Sequence, residues 1–139
     1  MRSFSSRGGF TLIELMIVVI IIAALAAMVT PRWFEQLDFA NEQIARGDLK
    51  TIENQLSMYR LNNGVYPATA DGLDALLTRP VSASNWRGPY IEKKPIDPWK
   101  RPYQYRFPGT RNTAGYDLFS LGKDGQEGGG DDVTNWDQK

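Results

Sequence analysis

The sequence predicts an α+β fold in which a long N-terminal helix packs on a small C-terminal antiparallel sheet. An apolar run, Phe10–Val29, is followed by helically spaced apolar residues, so the helix is expected to have an apolar half and an amphipathic half. Near the other end of the chain, Tyr103–Phe107 alternates as a strand does, Tyr116–Ser120 is expected to pair with it, and glycine and proline lie between them. These patterns predict one helix followed by a hairpin.

The composition narrows the range of functions. Of 139 residues, 16 are basic and 16 are acidic, so the net charge gives no reason to expect a nucleic-acid partner. The chain has no cysteine, which excludes disulfides and thiol chemistry, and no histidine, the commonest general base. A metal site would therefore need oxygen ligands, which favour calcium or magnesium over zinc.

The apolar run is long enough to serve as a membrane segment. As a helix, Phe10–Val29 would measure about 30 Å, the thickness of a bilayer core. A basic start with Arg2 and Arg7 is also typical of a secretory signal peptide cleaved after Ala24-Leu25-Ala26, or of an uncleaved signal anchor. Neither alternative needs Glu14, whose charge would cost about 2.5–3.5 kcal/mol at mid-membrane, so a special role for this carboxylate is equally open.

The helix is expected to continue past Pro31, which is either a hinge or a plain boundary between the two halves. Asn63-Gly64 predicts its end. The apolar residues expected on its buried face are Leu37, Ala40, Ile44, Leu49, Ile52, Leu56 and Tyr59.

Shorter elements are expected between the helix and the hairpin. Thr69 is predicted to cap a short helix, Ala70–Leu77, whose Leu73, Leu76 and Leu77 fold back on the long helix. The residues expected to anchor the following loop in the core are Trp86, Tyr90 and Trp99.

An acidic, glycine-rich loop follows the second strand. Asp124, Asp131 and Asp132 supply hard oxygen ligands, and five glycines allow tight backbone turns. From the residues alone, the loop is either a solvated acidic turn or a calcium site. Lys123 and Glu127 are expected to be exposed and without a role, and Asn135 and Trp136 to fix the tail.

Two sets of motifs resemble a known family. The segment Arg7–Leu15 resembles the class III leader junction of type IV pilins and pseudopilins. Further motifs resemble the major pseudopilins of type II secretion systems. The lack of cysteine departs from the type IVa pilins. The motifs that resemble the major pseudopilins are Met58–Asn63, Tyr66-Pro67, Gly72–Leu76, Pro95–Trp99, Asp124–Gln126, Asp131-Asp132 and Asn135-Trp136.

The resemblance implies a type IV pilin-like fold with three regions: a leader peptide at residues 1–9, a transmembrane and assembly helix at 10–30, and a periplasmic domain at 31–139. A prepilin peptidase would cut between Gly9 and Phe10 and methylate the new amino terminus. The Glu14 carboxylate of one subunit would then pair with the Phe10 amine of the next, and Pro31 would act as a hinge.

The resemblance also implies one calcium ion in the acidic loop. Its side-chain ligands would be Asp124, Asp131 and Asp132, and the carbonyl groups of Leu121 and Gln126 would complete the set. The resemblance thus favours the calcium site over the solvated turn.

The function implied is structural, not enzymatic. The chain would be a single-pass protein of the bacterial inner membrane that polymerises into a periplasmic pseudopilus and drives folded exoproteins across the outer membrane. Its partners would be copies of itself, minor pseudopilins, the prepilin peptidase and the inner-membrane assembly platform. The alternatives are a type IV surface pilin and a secreted calcium-binding module released by cleavage near Ala26.

Overall fold

The computed structural model describes residues 9–137, without the side chains of residues 29–35. It contains helix α1 (Leu12–Asn63), a 3-10 helix (Gly72–Leu76) and strands β1 (Gln104–Arg106), β2 (Asp117–Ser120) and β3 (Val133–Thr134). The α+β prediction, a long helix with a small antiparallel sheet, is confirmed. The predicted leader lies, except for its last residue, outside the described residues.

The chain forms two units, residues 1–37 and 38–139. In the first, the Thr11 hydroxyl accepts a hydrogen bond from the Glu14 backbone N–H at 3.3 Å, in the first turn of α1. Across the part of the chain that the structure describes, no helix is long and apolar enough to cross a membrane. Helix α1 continues past Pro31 as predicted, but this side chain is among those not described, so the hinge stays a prediction.

The buried face of α1 follows a strict alternation of four- and three-residue steps. It consists of Ala45, Leu49, Ile52, Leu56 and Tyr59. Three members of the predicted stripe are wrong: Leu37 and Ile44 are 57% and 54% exposed, and Ala40 is also exposed. Ile44 precedes the true stripe residue by one position, which turns its side chain about 100° away from the core.

Helix α1 ends where the sequence predicts. Gly64 follows the last helical residue with φ +81°, and its N–H donates to the Arg60 carbonyl at 2.7 Å. Glycine tolerates this left-handed conformation without steric cost. The Asn63 side-chain amide also donates to the Tyr59 carbonyl at 3.0 Å, which completes the C-terminal cap.

The predicted capping role of Thr69 is wrong. The short helix is a 3-10 helix that begins after Asp71, and no side chain caps it. The Thr69 hydroxyl instead donates to the Phe107 carbonyl at 2.9 Å and accepts from the Phe107 N–H at 2.8 Å. Threonine therefore ties this segment to the end of β1. Leu73 and Leu76 are buried in the core as predicted.

The three strands form one antiparallel sheet in the order β1-β2-β3. Tyr105 pairs with Leu118, which confirms the predicted hairpin, and Phe119 pairs with Thr134 of β3, a strand the sequence analysis missed. The Asn135 side chain extends the pairing because its Oδ1 accepts from the Leu118 N–H at 3.0 Å. The Trp136 ring contacts Phe119 edge-on at 5.4 Å, so both residues fix the tail as predicted.

The core lies between the buried face of α1 and the sheet. Tyr103, Tyr105 and Leu118 contribute to it from the sheet side. The predicted anchors pack at its edge and are half-buried: they are Trp86, Tyr90 and Trp99. The sheet and core thus fix both ends of the acidic loop, which connects β2 to β3.

Candidate metal centre and N-terminal assembly site

The acidic loop is folded by its own aspartates. Asp131 Oδ2 accepts a hydrogen bond from the Asp124 N–H at 2.9 Å, and Asp132 Oδ2 accepts from the Gly128 N–H at 2.7 Å. Asp124 Oδ1 accepts from the Gln126 N–H at 2.8 Å. Each carboxylate therefore uses one oxygen to hold the loop backbone.

The remaining oxygens of two of these carboxylates are unusual. Oδ1 of Asp131 and Oδ1 of Asp132 are buried and have no hydrogen-bond partner among the described residues. Buried polar atoms are nearly always paired, because an unpaired buried acceptor loses its solvation without compensation. Two such oxygens on adjacent residues fit a hard cation such as calcium.

Asp131 remains ionised in this environment. Burial disfavours its charged form, but the backbone N–H groups of Asp124 and Lys123 favour that form more strongly and hold the pKa of Asp131 below its ordinary value. A metal ligand must be deprotonated, so this shift also fits the cation.

The two predicted carbonyl ligands already accept hydrogen bonds within the loop. Leu121 accepts from the Gly125 N–H at 3.2 Å, and Gln126 accepts from the Gly129 N–H at 3.4 Å. A carbonyl oxygen has two lone pairs, so each retains capacity for a further partner. Among the described residues, however, no three acidic side chains are grouped closely enough to hold a metal. The five-ligand set stays a prediction.

Glycine is required where the two ends of the loop meet. Gly122 has φ +61°, and a Cβ atom there would lie 2.3 Å from the Asp131 carbonyl oxygen. A Cβ atom on Gly129 would lie 2.0 Å from Asp124 Oδ2. Both distances are far below van der Waals contact. At Gly122 the clash is with backbone and φ is positive, so glycine is required there, whereas at Gly129 the clash is with the end of a side chain that can move.

Three contacts made by cationic side chains connect the acidic loop to other parts of the chain, and the sequence analysis predicted none of these contacts. Arg101 donates to the Gly122 carbonyl at 2.8 Å, Arg106 forms a two-pronged ion pair with Glu127, and Lys123 pairs with Asp38 at 2.7 Å. Lys123 and Glu127 are exposed as expected, and each forms an ion pair at the surface. Exposed ion pairs contribute no more than about 1 kcal/mol, so the expectation that these two residues have no role stays a prediction. Their partners lie 21 to 85 residues away, and local spacing carries no signal of such contacts.

The predicted assembly residues lie at the start of α1. Gly9 and Phe10 precede the helix, and the Phe10 side chain is 82% exposed. Glu14 lies in the first turn of the helix and is also exposed. Pairing of Glu14 with a neighbouring amine requires a second subunit, so that role stays a prediction.

Comparison with known proteins accounts for nearly the whole chain. Residues 32–136 match the family model described as type II secretion system protein G, and residues 4–30 match the prokaryotic N-terminal methylation motif. The type II secretion system core protein G of Pseudomonas aeruginosa is 47% identical, over 94% of this chain and 96% of that relative. The core protein G of Vibrio cholerae is 45% identical, over 98% and 96%.

A solved structure gives the same result for the fold. The crystal structure of the major pseudopilin from the type 2 secretion system of enterohaemorrhagic Escherichia coli has a TM-score of 0.68 and 39% identity, and the match covers 78% of this chain and 96% of that one. Sequence and fold therefore point to the same family. This chain belongs to the protein G family of the type II secretion system.

Proposed function

We propose that this chain is the major structural subunit of the periplasmic pseudopilus of a type II secretion system. The observation that carries the proposal is the joint match of residues 4–30 to the methylation motif and of residues 32–136 to protein G. The family is one of structural subunits and not of enzymes. Secretion is thus a consequence of polymerisation, with no chemistry at a site on this chain.

Processing is the first step of the proposed function. A prepilin peptidase cleaves between Gly9 and Phe10 and methylates the new terminus, and the apolar helix that follows is retained. The methylation-motif match over residues 4–30 supports this step. It also favours the retained helix over the secreted module, which requires cleavage near Ala26.

The exposed first half of α1 supports a location in the inner membrane before assembly. Its apolar side chains from Leu12 to Met28 are all exposed in the isolated chain. Apolar surface on this scale requires lipid or protein to cover it. Lipid covers it in the membrane, and neighbouring copies cover it in the fibre, while residues 31–139 lie in the periplasm.

Glu14 directs the assembly of subunits. Its carboxylate pairs with the methylated Phe10 amine of a neighbouring copy, so two charges that are costly in an apolar surrounding neutralise each other. The exposure of both residues in the single chain supports an intermolecular partner. Minor pseudopilins and the inner-membrane assembly platform are the proposed partners of the growing fibre.

Calcium is proposed to stabilise the acidic loop. Asp124, Asp131 and Asp132 would hold it, with the carbonyl groups of Leu121 and Gln126. Bound there, the ion supplies positive charge to carboxylates that otherwise repel one another. The two unpartnered oxygens of Asp131 and Asp132 support this assignment.

The test of the proposed function is deletion of the gene in its own bacterium. Exoproteins should accumulate in the periplasm, and a plasmid copy of the wild-type gene should restore their release. The matched control is secretion of a protein that does not use this pathway, which should not change. Normal release of all exoproteins by the deletion strain would contradict the proposal.

A further inference from the structure

A closed network of hydrogen bonds connects the segment before β1 to the start of the acidic loop. The Arg101 N–H donates to Asp97 Oδ1 at 2.8 Å, and Asp97 Oδ2 accepts from the Ser120 hydroxyl at 2.6 Å. The Ser120 oxygen accepts from the Gly122 N–H at 3.1 Å, and the Gly122 carbonyl accepts from the Arg101 guanidinium at 2.8 Å. Gly122 is thus held through both its N–H and its carbonyl group.

Two side chains of this network are shielded from water. Asp97 and Ser120 are 4% and 0% exposed, so their hydrogen bonds do not compete with solvent. Hydrogen bonds that involve a charged group are about twice as strong as neutral ones, and the guanidinium group of Arg101 is charged. The first turn of the acidic loop therefore has strong support that does not involve its own aspartates.

A strained turn aims Arg101 at the loop. Lys100 has φ +66°, an uncommon conformation for a residue with a side chain, and its N–H donates to the Asp97 carbonyl at 2.9 Å. The Arg101 guanidinium lies so close to the loop that a Cβ atom on Gly125 would be 2.6 Å from its central carbon. It also contacts the Lys123 carbonyl at 3.4 Å. The arginine thus lies against the backbone of residues 122–125.

We propose that Arg101 is a positioning residue that fixes the backbone of residues 121–125 in its metal-binding conformation before calcium arrives. A loop that is already ordered loses little conformational entropy when it binds an ion, so its affinity is higher than that of a loose loop. The effect on affinity rests on the proposed calcium role. The effect on loop order does not, because Arg101 acts in the absence of metal.

The test compares Arg101→Met with Arg79→Met in the full chain in detergent micelles. Arg79 is a matched control because its guanidinium also donates to two loop carbonyls, Ala83 at 3.0 Å and Ser84 at 3.2 Å, but outside the acidic loop. Two quantities are measured: the calcium Kd by titration calorimetry, and hydrogen exchange of peptides covering residues 121–126 in chelator.

Arg101→Met is expected to raise the calcium Kd by about tenfold or more and to speed loop exchange in chelator by a similar factor, as loss of charge-assisted hydrogen bonds implies. Arg79→Met is expected to change neither quantity. Arg101→Gln, which keeps one amide donor, should give intermediate values of the calcium Kd and of the exchange rate. If Arg101→Met does not fold, Arg101→Gln takes its place in the comparison.

Two results would overturn the positioning role: exchange in Arg101→Met equal to that of the wild type, or equal acceleration in both arginine variants. Absence of calcium binding by the wild-type chain would instead refute the proposed calcium role. In that case, exchange in chelator still tests Arg101 by itself. Failure of the positioning role and failure of the calcium role are therefore distinguishable.

Discussion

The carboxylate of Asp117 accepts hydrogen bonds from both the backbone N–H and the hydroxyl group of Thr110, each at 2.8 Å. It also accepts from the N–H of Asn112 at 2.7 Å, and it is fully buried at the start of β2. Burial disfavours its charged form, but the Asn112 and Thr110 donors outweigh that effect and hold the pKa of Asp117 below its ordinary value. The turn of the hairpin is thus built around one anion.

This arrangement predicts a pH-dependent contribution to stability. Because the folded pKa lies below the unfolded value of about 3.9, the contribution is complete above that pH and is lost as the pH falls through the folded pKa. At pH 7, Asp117→Asn is expected to lower the free energy of unfolding by about 2–3 kcal/mol. The NH2 group of the asparagine would face the donors that the carboxylate now accepts from, and it cannot accept a hydrogen bond. The deficit relative to wild type should narrow toward pH 3.

Urea unfolding of the full chain in detergent, followed by tryptophan fluorescence, measures this difference. The matched control is Asp74→Asn, which removes an exposed ion pair with Lys94 and is expected to cost no more than about 0.5 kcal/mol at pH 7. An equal effect of both variants at pH 7 would contradict the role assigned to Asp117.

The fold could be predicted where local pattern and tertiary packing agree. Alternation over Tyr103–Phe107 predicts β1, and Gly64 predicts the end of α1, because both signals act within a few residues. Strand β3 has only two residues, Val133–Thr134, which is too short for alternation to show. Thr69 has the chemistry of a helix cap, but its hydroxyl pairs with Phe107, 38 residues away.

The candidate site, like the fold, could be predicted from the sequence only in part. The clustering of Asp124, Asp131 and Asp132 in one glycine-rich loop is visible in the sequence because all its members are local. The contact of Arg101 with the Gly122 carbonyl is not visible, because it depends on how the segment before β1 lies against the loop. The sequence thus shows a local acidic cluster, which the family resemblance proposes as the ligand set, whereas only the fold shows the contact from Arg101.

The mature chain is expected to begin at N-methyl-Phe10. The reason is the Gly9-Phe10 junction within the methylation motif matched by residues 4–30. Intact-mass measurement of protein extracted from membranes of its own bacterium decides this. The control is the same protein from a strain without prepilin peptidase, which should retain residues 1–9. A mature chain that begins at Ala27 or Met28 would refute the proposed processing.

Glu14→Ala is expected to leave membrane insertion and leader cleavage intact but to abolish fibre assembly. An unpaired buried charge costs about 3–5 kcal/mol, and the variant leaves the Phe10 amine of each neighbour without its partner. The measurement is chemical cross-linking of subunits in membranes, together with exoprotein release.

The matched control for Glu14→Ala is Glu42→Ala on the same helix. Glu42 forms an exposed pair with Arg46 at 2.7 Å, so its loss should change neither cross-linking nor release. Wild-type cross-linking by Glu14→Ala would exclude the pairing role. Failure of both variants would show that assembly is sensitive to any change of charge on α1.

Calcium is expected to raise the melting temperature of the full chain in detergent relative to chelator. A ligand that binds only the folded state adds about 2.7 kcal/mol at a hundredfold excess over its Kd, which amounts to a shift of several degrees for a domain of this size. Asp131 and Asp132 each have one buried oxygen without a partner among the described residues. The ion would satisfy both oxygens and would therefore stabilise the loop even if Arg101 has already ordered it. Magnesium should substitute poorly, because it requires tighter octahedral geometry.

Asp131→Asn tests this explanation most directly. The asparagine can still accept a hydrogen bond from the Asp124 N–H, now made by Asp131 Oδ2 at 2.9 Å, so the loop backbone retains that contact while the ligand loses its charge. The calcium-dependent increment should disappear. It should persist in Asp71→Asn, because the Asp71 carboxylate lies outside the acidic loop, where it accepts a hydrogen bond from the Ser82 hydroxyl. An identical melting temperature of the wild type in millimolar calcium and in chelator would mean that the loop binds no calcium and is a solvated acidic turn.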